Sequence, residues 1–398
     1  MKKAFIISAI LSLLLPALGA RAQGVTVSGY VRDAQSGETI IGATVYTADK
    51  SVGTSTNGFG FYSLKVPRGN AVDIIASCVG YTDLKSTLDC SKGNVTHDFD
   101  LATDRQMLEG ATVFSRTKKD ALTLPQMGMQ QVDVALVKKL PALMGETDII
   151  RVIQMMPGVQ APSEGSTGFS VRGGGIDQNL ILMDEAPVYN AGHFMGFFSV
   201  FNNDAVKTAD LYKGYIPAKY GGRLSSLLDV HTIDGNMQEF GGSLSLGIIS
   251  SKILLEGPIV RDRASFMVAA RRTYVDLFFP LFKGLKGDRM HFYDVNAKAN
   301  WIINDNNRLY LSVFSGKDVF AMKNTEMTDI NMALDFANNT QSLRWNHVFS
   351  PRLFANFTVL NSFYNFGTLL QYSATDMDFT SDLHNQAAKA DFTLFLGP

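Results

Sequence analysis

Apolar residues follow different spacings in different parts of the chain. Residues 24–103 contain short alternating segments at 25–31, 43–48 and 59–66, separated by glycine, proline and asparagine. Strands this short and this closely spaced are typical of a small β-sandwich. The first domain is therefore predicted to be a sandwich of two sheets.

The middle of the chain, residues 121–235, mixes helical and strand-like patterns. The segment 133–140 predicts a short helix, and Thr147 is expected to cap a second one. Strand-like pieces follow at 179–183 and 209–214. Together with glycine-rich joints between them, these pieces predict a small α+β domain.

From residue 240 onward the apolar positions alternate with a period of two, and this region holds 17 of the 27 phenylalanines and both tryptophans. Most of the alternating segments have the length of ~9 to 11 residues that a tilted strand needs to cross a bilayer. The eight predicted strands are 242–249, 252–257, 264–272, 294–303, 308–316, 341–349, 353–364 and 387–396.

The links between these strands differ in length. Short turns on one side of a sheet and long loops on the other are typical of an outer-membrane β-barrel. The short links are 259–263, 304–307 and 350–352, and the long ones are 276–290, 318–340 and 367–383. No window of about 18 uninterrupted apolar residues occurs, so no membrane-spanning helix is predicted.

The first 22 residues have the pattern of a secretory signal. They begin with two lysines, continue with an apolar run over 4–15, and end in small residues at Ala20 and Ala22. This order predicts cleavage before Gln23 and export. Two cysteines, Cys78 and Cys90, would then lie in an oxidising compartment. Both a disulfide and two separate buried thiols are compatible with the sequence.

The composition excludes several function classes. The 36 basic and 37 acidic side chains give a formal charge of -1, so a large basic surface for nucleic acid is not expected. The six histidines are scattered without metal-ligand spacing and are expected to be solvated or to cap other groups. The glycines from Gly173 to Gly175 lack the strand and spacing of a dinucleotide loop. No catalysis, cofactor or metal is therefore expected.

A polar connector at 104–120 contains one apolar patch, MLEGATVF. A strand-like run in a solvated linker can be an edge that pairs with a partner chain. It can equally be the last strand of the sandwich, and the pattern alone leaves both open.

The first domain resembles the carboxypeptidase regulatory-like family. The resemblance rests on SGYVRDAQSGETIIGATVYTADKSVGTSTNGFGFYSLKVPRGN followed by CVGY. It implies an immunoglobulin-like β-sandwich with no catalytic role.

The middle domain resembles the plug of TonB-dependent outer-membrane receptors, in the branch of Bacteroidetes-type bacteria with a regulatory-like domain in front. The matching stretches are LPALMGETDIIRVIQMMPGVQ and GFSVRGGGIDQNLILMDEAPVYNAGHFMGFFSVFNNDAVKTADLYKGYIPAKYGGRLSSLLDV. Downstream, GGSLSLGIISSKILLEGPI and AARRTYVDL resemble the first barrel strands of the same receptors. The implied fold is mainly β: a sandwich, an α+β plug and about eight strands of a transmembrane antiparallel barrel.

The resemblance also implies site residues. It places Asp184 and Glu185 in a plug turn, and Arg172 where a plug arginine pairs with wall carboxylates by two hydrogen bonds. Lys219 stands where the family usually has a second arginine. The implied energy-coupling segment is Leu108, Glu109, Gly110, Ala111, Thr112 and Val113. The implied plug motif is Arg172, Gly173, Gly174, Asp184, Lys213, Gly214, Lys219, Tyr220, Gly221 and Gly222.

The domains implied by the resemblance are a signal peptide at 1–22, the regulatory-like domain at 23–103, the linker with the coupling segment at 104–120, the plug at 121–235 and a partial barrel at 236–398. The implied function is energy-coupled uptake of a scarce ligand, which is a metal chelate, a glycan or a peptide. The implied partners are a TonB-type periplasmic protein, outer-membrane lipids and, as a further candidate, a surface lipoprotein. The regulatory-like domain and the plug base are expected to face the periplasm.

Eight strands close around their own side chains, and plugged transporters have about 22 strands, so the chain is expected to be a fragment that lacks roughly fourteen. An adhesion or scaffold protein with a small barrel would also explain the sandwich and strands. An exported enzyme would require a polar cluster that the sequence does not show.

Overall fold

A computed structural model describes residues 24–104, 128–132, 134–137, 146–163, 167–323, 330–372 and 375–396. The predicted signal peptide at 1–22 and the coupling segment at 108–113 lie outside these residues. Within the described ranges, none of the helices has the length and apolar content needed to cross a membrane.

Residues 24–104 form a β-sandwich, called the sandwich below. One sheet has the order β4-β1-β7 with β8 also paired to β1, and the other has the order β3-β2-β5-β6. The predicted fold of this domain is confirmed. The strands are β1 Gly24–Asp33, β2 Thr44–Thr47, β3 Gly53–Ser55, β4 Phe61–Pro67, β5 Val72–Ser77, β6 Leu84–Leu88, β7 Val95–Thr96 and β8 Phe99–Leu101.

Strand β1 is buried on both of its faces. Val25, Val27 and Val31 belong to the core between the two sheets. Tyr30 lies on the other face and packs against Phe61 and against Phe354, which is more than 300 residues away in the chain. Successive side chains of a strand point to opposite faces, so a second surface must cover the outer face of this sheet.

The two cysteines of the sandwich are free thiols in this structure. Cys90 is buried and Cys78 is half-buried. Burial raises the pKa of both thiols. A raised thiol pKa lowers the fraction of reactive thiolate at neutral pH.

Residues 128–235 form a second unit, called the central domain below. Its main sheet has the order β13-β12-β17-β16-β9, in which β12 and β17 are parallel and the other pairs are antiparallel. Its elements are β9 Met129–Val132, α1 Val134–Val137, α2 Ile149–Gln154, β10 Val159–Gln160, β11 Ser170–Val171, β12 Asn179–Met183, β13 Ala186–Pro187, β14 Gly192–His193, β15 Phe198–Ser199, β16 Val206–Lys213 and β17 Ser226–Thr232.

Helix α2 begins one residue later than the sequence predicted. Its N-cap is Asp148, and not Thr147, because an Asp148 carboxylate oxygen accepts the backbone N–H of Ile150 at 2.7 Å. The second carboxylate oxygen accepts the N–H of Ser199 at 2.7 Å. A carboxylate offers two separate acceptor oxygens, one for the free N–H of the helix end and one for that of a distant loop, whereas a threonine side chain offers a single hydroxyl oxygen.

Residues 241–394 form one antiparallel sheet of eight strands in chain order, called the wall sheet below. The predicted count and order of its strands are confirmed. The strands are β18 Gly241–Leu246, β19 Ser250–Val260, β20 Ala264–Thr273, β21 Arg289–Asn304, β22 Asn307–Met322, β23 Ile330–Ser350, β24 Leu353–Tyr372 and β25 Thr375–Leu394.

The last strands are longer than predicted, and two of the predicted long links are wrong. The stretches 318–340 and 367–383 are mostly strand, and β23 alone has 21 residues. Their pairing continues up to Met322 with Met332 and Tyr372 with Thr375. Polar side chains interrupt the apolar alternation in these stretches. A sheet is held by main-chain hydrogen bonds to the neighbouring strand, however, and these do not depend on that alternation.

The polarity of the two faces of the wall sheet is the reverse of that in a soluble protein. On the inward face of β21, Asp294, Asn296, Lys298 and Asn300 are all buried under the central domain. The outward face is apolar and exposed, with exposed fractions of 39 to 60% for five of its large side chains. Examples of the outward side chains are Trp301, Leu311, Leu343, Trp345 and Val359. A polar inside and an apolar outside are expected of a wall whose outer surface faces lipid.

Candidate functional site: the contact between the central domain and the wall sheet

The hairpin between β12 and β13 inserts its turn into the inward face of the wall sheet. The turn residues Asp184 and Glu185 have φ values of 45° and 73°. Two-residue hairpin turns with positive φ at both positions normally contain asparagine or glycine. A non-glycine residue in this region costs roughly 1–3 kcal/mol and occurs where other contacts hold it. The contacts of these two carboxylates supply that restraint.

Lys298 of β21 holds the first turn residue. Its Nζ lies 2.9 Å from an Asp184 oxygen and 2.9 Å from an Asp234 oxygen, and it donates to the carbonyl of Thr232 at 2.9 Å. Only 2% of the Lys298 side chain is exposed. A buried ammonium with three acceptors at this distance has all of its donors satisfied.

Glu185 is held by other strands of the same wall. Its carboxylate accepts hydrogen bonds from Asn356 at 3.1 Å and from Thr358 at 2.8 Å. Lys389 donates to the Glu185 carbonyl at 3.0 Å. The turn is therefore fastened to β21, β24 and β25 at once. The expectation that both acidic residues lie in a turn is confirmed.

The ion pairs extend from Asp234 to the sandwich. Lys207 of β16 lies 3.1 Å from Asp234 and 3.0 Å from Glu38. Burial by itself would raise the pKa of Asp234, but Lys207 and Lys298 outweigh it and hold that pKa well below its usual range. Burial by itself would lower the pKa of Lys207, but the two carboxylates outweigh burial and raise that pKa. The row Asp184, Lys298, Asp234, Lys207 and Glu38, called the ion chain below, connects all three units.

A second buried cluster lies around His193 in β14. Its Nδ1 is 2.7 Å from an Asp318 oxygen and its Nε2 is 3.5 Å from an Asp294 oxygen. Arg271 donates to Asp294 at 2.7 Å and to the carbonyl of Ser199 at 2.7 Å. Burial would lower the pKa of His193, but the hydrogen bonds and charges of Asp294 and Asp318 outweigh it and raise that pKa.

The prediction that the histidines are solvated or capping is wrong for His193 and His231. His231 lies 3.5 Å from Asp229, which also accepts a 2.8 Å hydrogen bond from Tyr220. Burial would raise the pKa of Asp229, but His231 and Tyr220 bring it down to about 2. The neighbouring carboxylates favour the protonated form of both rings and raise the pKa of His193 and of His231.

The predicted plug motif is divided between two ends of the central sheet. Asp184 lies at one end, on the wall side. Arg172, Lys213 and Gly214 lie together at the other end. The Arg172 guanidinium packs over Gly214, where an added Cβ would fall 2.2 Å from Nη1. Gly214 also has a φ of 85°, so both its conformation and its lack of a side chain are required.

Other motif residues make local contacts near that second end. Lys213 is buried and donates to the carbonyl of Pro157 at 2.8 Å. Lys219 lies 4.6 Å from the ring centre of Tyr220. Gly174 packs on Ser225, whereas Gly173, Gly221 and Gly222 have nothing within 4 Å of an added Cβ.

Arg172 is exposed, and within the described ranges it forms no ion pair with a carboxylate. Its pairing with wall carboxylates stays a prediction. The coupling-segment residues Leu108 to Val113 lie outside the described residues.

Several residues of this contact are not predicted by the sequence: Lys298, Asp234, Lys207, Glu38, His193, Arg271 and Asp294. One signal was present. In the stretch DVNAKAN every second residue of β21 is polar, and polar residues at a period of two mark an inward barrel face. Within the described ranges, no group of three or more metal-ligating side chains occurs.

Comparison with known families agrees with this architecture. The CarboxypepD_reg-like domain family matches residues 27–113, and the TonB-dependent Receptor Plug Domain family matches residues 126–226. A comparison with curated proteins gave no significant match.

Two solved structures share the fold. The siderophore receptor PirA from Acinetobacter baumannii superposes with a TM-score of 0.50 at 16% identity, covering 67% of this chain and 45% of that one. A mutant of the ferric enterobactin receptor PfeA from Pseudomonas aeruginosa gives a TM-score of 0.51 at 15% identity, covering 71% and 48%. The chain thus spans less than half the length of either receptor.

The chain carries the carboxypeptidase regulatory-like and plug domains of a TonB-dependent outer-membrane receptor, and its wall sheet has the fold of part of such a receptor's barrel. The predicted family and fold class are confirmed.

Proposed function

We propose that this chain is the N-terminal part of a receptor that takes up a scarce ligand across the outer membrane, using energy supplied from the periplasm. In this proposal residues 1–22 are the signal peptide, 23–103 the regulatory-like domain, 104–120 the linker with the coupling segment, 121–235 the plug and 236–398 part of the barrel. The complete receptor would have about 22 strands, as plugged transporters do.

One observation carries the proposal: a separately folded domain is fastened to the inner face of a lipid-compatible wall by buried polar contacts. Asp184, His193 and Glu185 each reach the wall through charged or hydrogen-bonded partners. Polar contacts can be exchanged for water when the domain moves, whereas a continuous apolar interface would resist wetting. A removable plug requires such a surface. A simple adhesion barrel does not.

The sandwich and the short turns support an orientation with the regulatory-like domain in the periplasm. Arg352, in the short turn after β23, donates to Thr26 of the sandwich at 3.1 Å. Short turns of outer-membrane barrels face the periplasm. Trp301 and Trp345 lie on the outward face near these turns, where such barrels carry an aromatic girdle.

The proposed partner is a TonB-type protein that adds a strand to the segment Leu108 to Val113 by main-chain hydrogen bonds. The proposed ligand is a metal chelate, a glycan or a peptide. Ferric chelates are the first ligands to test, since the two structures with the same fold are named as a siderophore receptor and a ferric enterobactin receptor. No covalent chemistry is proposed.

Uptake by cells that carry the intact receptor tests this function. With panels of labelled ferric chelates, oligosaccharides and peptides, one class is expected to accumulate inside the cells in a receptor-dependent manner. A protonophore should stop accumulation and leave surface binding unchanged. Accumulation that persists with the protonophore, or a receptor found in the soluble periplasmic fraction, would contradict the proposal.

The outward face of the wall sheet gives a separate prediction about the membrane. Leu311 lies on that face of β22 with Ala299 and Leu343 as cross-strand neighbours. In Leu311→Arg, a charge would face the hydrocarbon core, and we expect a loss of about 2–4 kcal/mol in folding stability in lipid vesicles. Urea titration of the folded receptor measures this loss.

The matched control is Val79→Arg in the sandwich. Val79 is 81% exposed to water, so the same change should alter stability by less than about 0.5 kcal/mol. Equal effects of the two substitutions would show that Leu311 does not face lipid.

A further inference from the structure

We infer that the sandwich is an inhibitory brace, which holds the central domain in its closed position until the sandwich leaves the end of the barrel. This inference rests on the proposed function, since it concerns how the plug is held between transport events. It follows from two independent contacts of the sandwich, one with the wall sheet and one with the connection between the central domain and the wall.

The first contact is aromatic. Phe61 of β4 stacks on Phe354 of β24 with ring centres 5.4 Å apart, and Phe59 stacks on the same ring at 5.4 Å. Arg308 of β22 lies 3.5 Å from the ring centre of Tyr30. Phe354 is fully buried by this cluster, which is separate from the core of the sandwich itself. The aromatic cluster therefore serves docking and is not needed to fold the sandwich.

The second contact is with residues 233–238, which lie in the connection between the last central strand and the first wall strand. One Glu38 carboxylate oxygen accepts the backbone N–H groups of both Asp234 and Gly235. The carbonyl of Ser36 accepts the N–H of Met237 at 2.8 Å. Any displacement of the central domain from the wall must change the backbone of this joint. The docked sandwich opposes such a change by three hydrogen bonds.

The same glutamate completes the ion chain. Glu38 lies 3.0 Å from Lys207, which with Lys298 neutralises Asp234. When the sandwich leaves, Lys207 and Asp234 lose a buried neighbour and water enters beside them. The attachment of the central domain to the wall is then weaker, because ion pairs open to solvent contribute little. Departure of the sandwich and release of the central domain are coupled through this one side chain.

The test uses the intact receptor in lipid with Glu38→Gln, Phe61→Ala and the double variant. Hydrogen exchange of peptides that contain Tyr30 and Phe354 reports docking. We expect it to rise roughly tenfold or more in the double variant, since buried aromatic and charged anchors dominate such contacts. Exchange of the sandwich core around Ile74 should stay unchanged. Asp83→Asn, a change of an exposed acid just before β6, is the matched control.

Release of the central domain is measured first by hydrogen exchange in urea, without transport. The urea concentration at which β16 begins to exchange, while β21 stays protected, should fall in the double variant. In cells with an intact energy supply, the double variant should take up ligand faster than the wild type. Its surface binding of the ligand should be unchanged. Phe354→Ala, on the wall side of the contact, should give the same pattern.

The inference is overturned if docking exchange is unchanged in these variants, or if the sandwich undocks and β16 keeps its wild-type urea midpoint. A different outcome would count against the proposed function alone: the wild-type receptor takes up no ligand, but the double variant still lowers the urea midpoint of β16. The two failures are thus distinguishable.

Discussion

Replacement of Lys298 by methionine is expected to loosen the central domain from the wall sheet by about 3–5 kcal/mol. Methionine has a similar length and fits the site, but it leaves the buried carboxylates of Asp184 and Asp234 without the ammonium that lies 2.9 Å from each. An unpaired buried charge costs far more than the net contribution of the pair. The urea midpoint for release of β16, with β21 still folded, measures the effect.

Two further variants make this result specific. Lys317→Met removes a lysine from the outward face of β22 and is expected to change the midpoint by less than about 0.5 kcal/mol. Asp184→Asn combined with Lys298→Met should recover part of the stability lost in Lys298→Met. The reason is that a neutral amide then replaces the unpaired carboxylate of Asp184. If Lys298→Met behaves like Lys317→Met, the ion chain does not hold the domain.

Lys298→Met should also change how the release of the central domain depends on pH. Burial alone would raise the pKa of Asp184, but Lys298 and His231 outweigh it and lower that pKa. A lowered carboxyl pKa stabilises the folded state above the unfolded value of about 3.9, and this contribution is lost as the pH falls. Without Lys298, the buried carboxyl group takes up a proton more easily. The difference in the urea midpoint of β16 between the wild type and Lys298→Met should therefore become smaller as the pH falls from 8 to 4.5.

Deletion of residues 108–113 from the intact receptor is expected to abolish uptake and leave surface binding intact. The proposed partner pulls through main-chain hydrogen bonds to this segment, so its removal breaks the connection to the energy source without touching the ligand site. We expect uptake to fall to the level of cells without the receptor. Uptake and binding of the same labelled ligand are the two measurements.

Deletion of residues 115–120 is the matched control, since it shortens the connector by the same length and removes only polar and charged residues. Uptake should persist there. Unchanged uptake after loss of 108–113 would show that the coupling segment lies elsewhere in the chain.

Much of the fold could be predicted because it depends on local patterns. Strand β12 was predicted with its observed bounds, 179–183, and the eight wall strands were predicted in number and order. The errors occurred where local pattern and tertiary contact disagree. The weak alternation over 367–383 predicts a loop, but residues 367–372 belong to β24 and residues 375–383 belong to β25, and these two strands pair with each other. The local pattern favours Thr147 as the cap, but the N–H of Ser199 also needs an acceptor, and Asp148 supplies it through a tertiary contact.

The candidate site was predicted less well. Asp184 was included through family resemblance, and its partner Lys298, which is 114 residues away, was not. The sequence predicts a solvated or capping His193, because its partners Asp294 and Asp318 follow more than 100 residues later. The resemblance placed Arg172 in a charge cluster. In the structure it lies over Gly214, and its wall pairing stays a prediction.

The amino-acid sequence by itself determined the sandwich, the α+β central domain and the wall sheet, because short alternating segments, short helix patterns and a sustained period of two each depend on a few neighbouring residues. Only the tertiary structure decided which charges neutralise one another. Glu38 meets the N–H of Asp234 across 196 residues, and no local pattern encodes such a pair. The physical reason is that burial of a charge is favourable only beside its partner, and the partner is chosen by how the sheets pack.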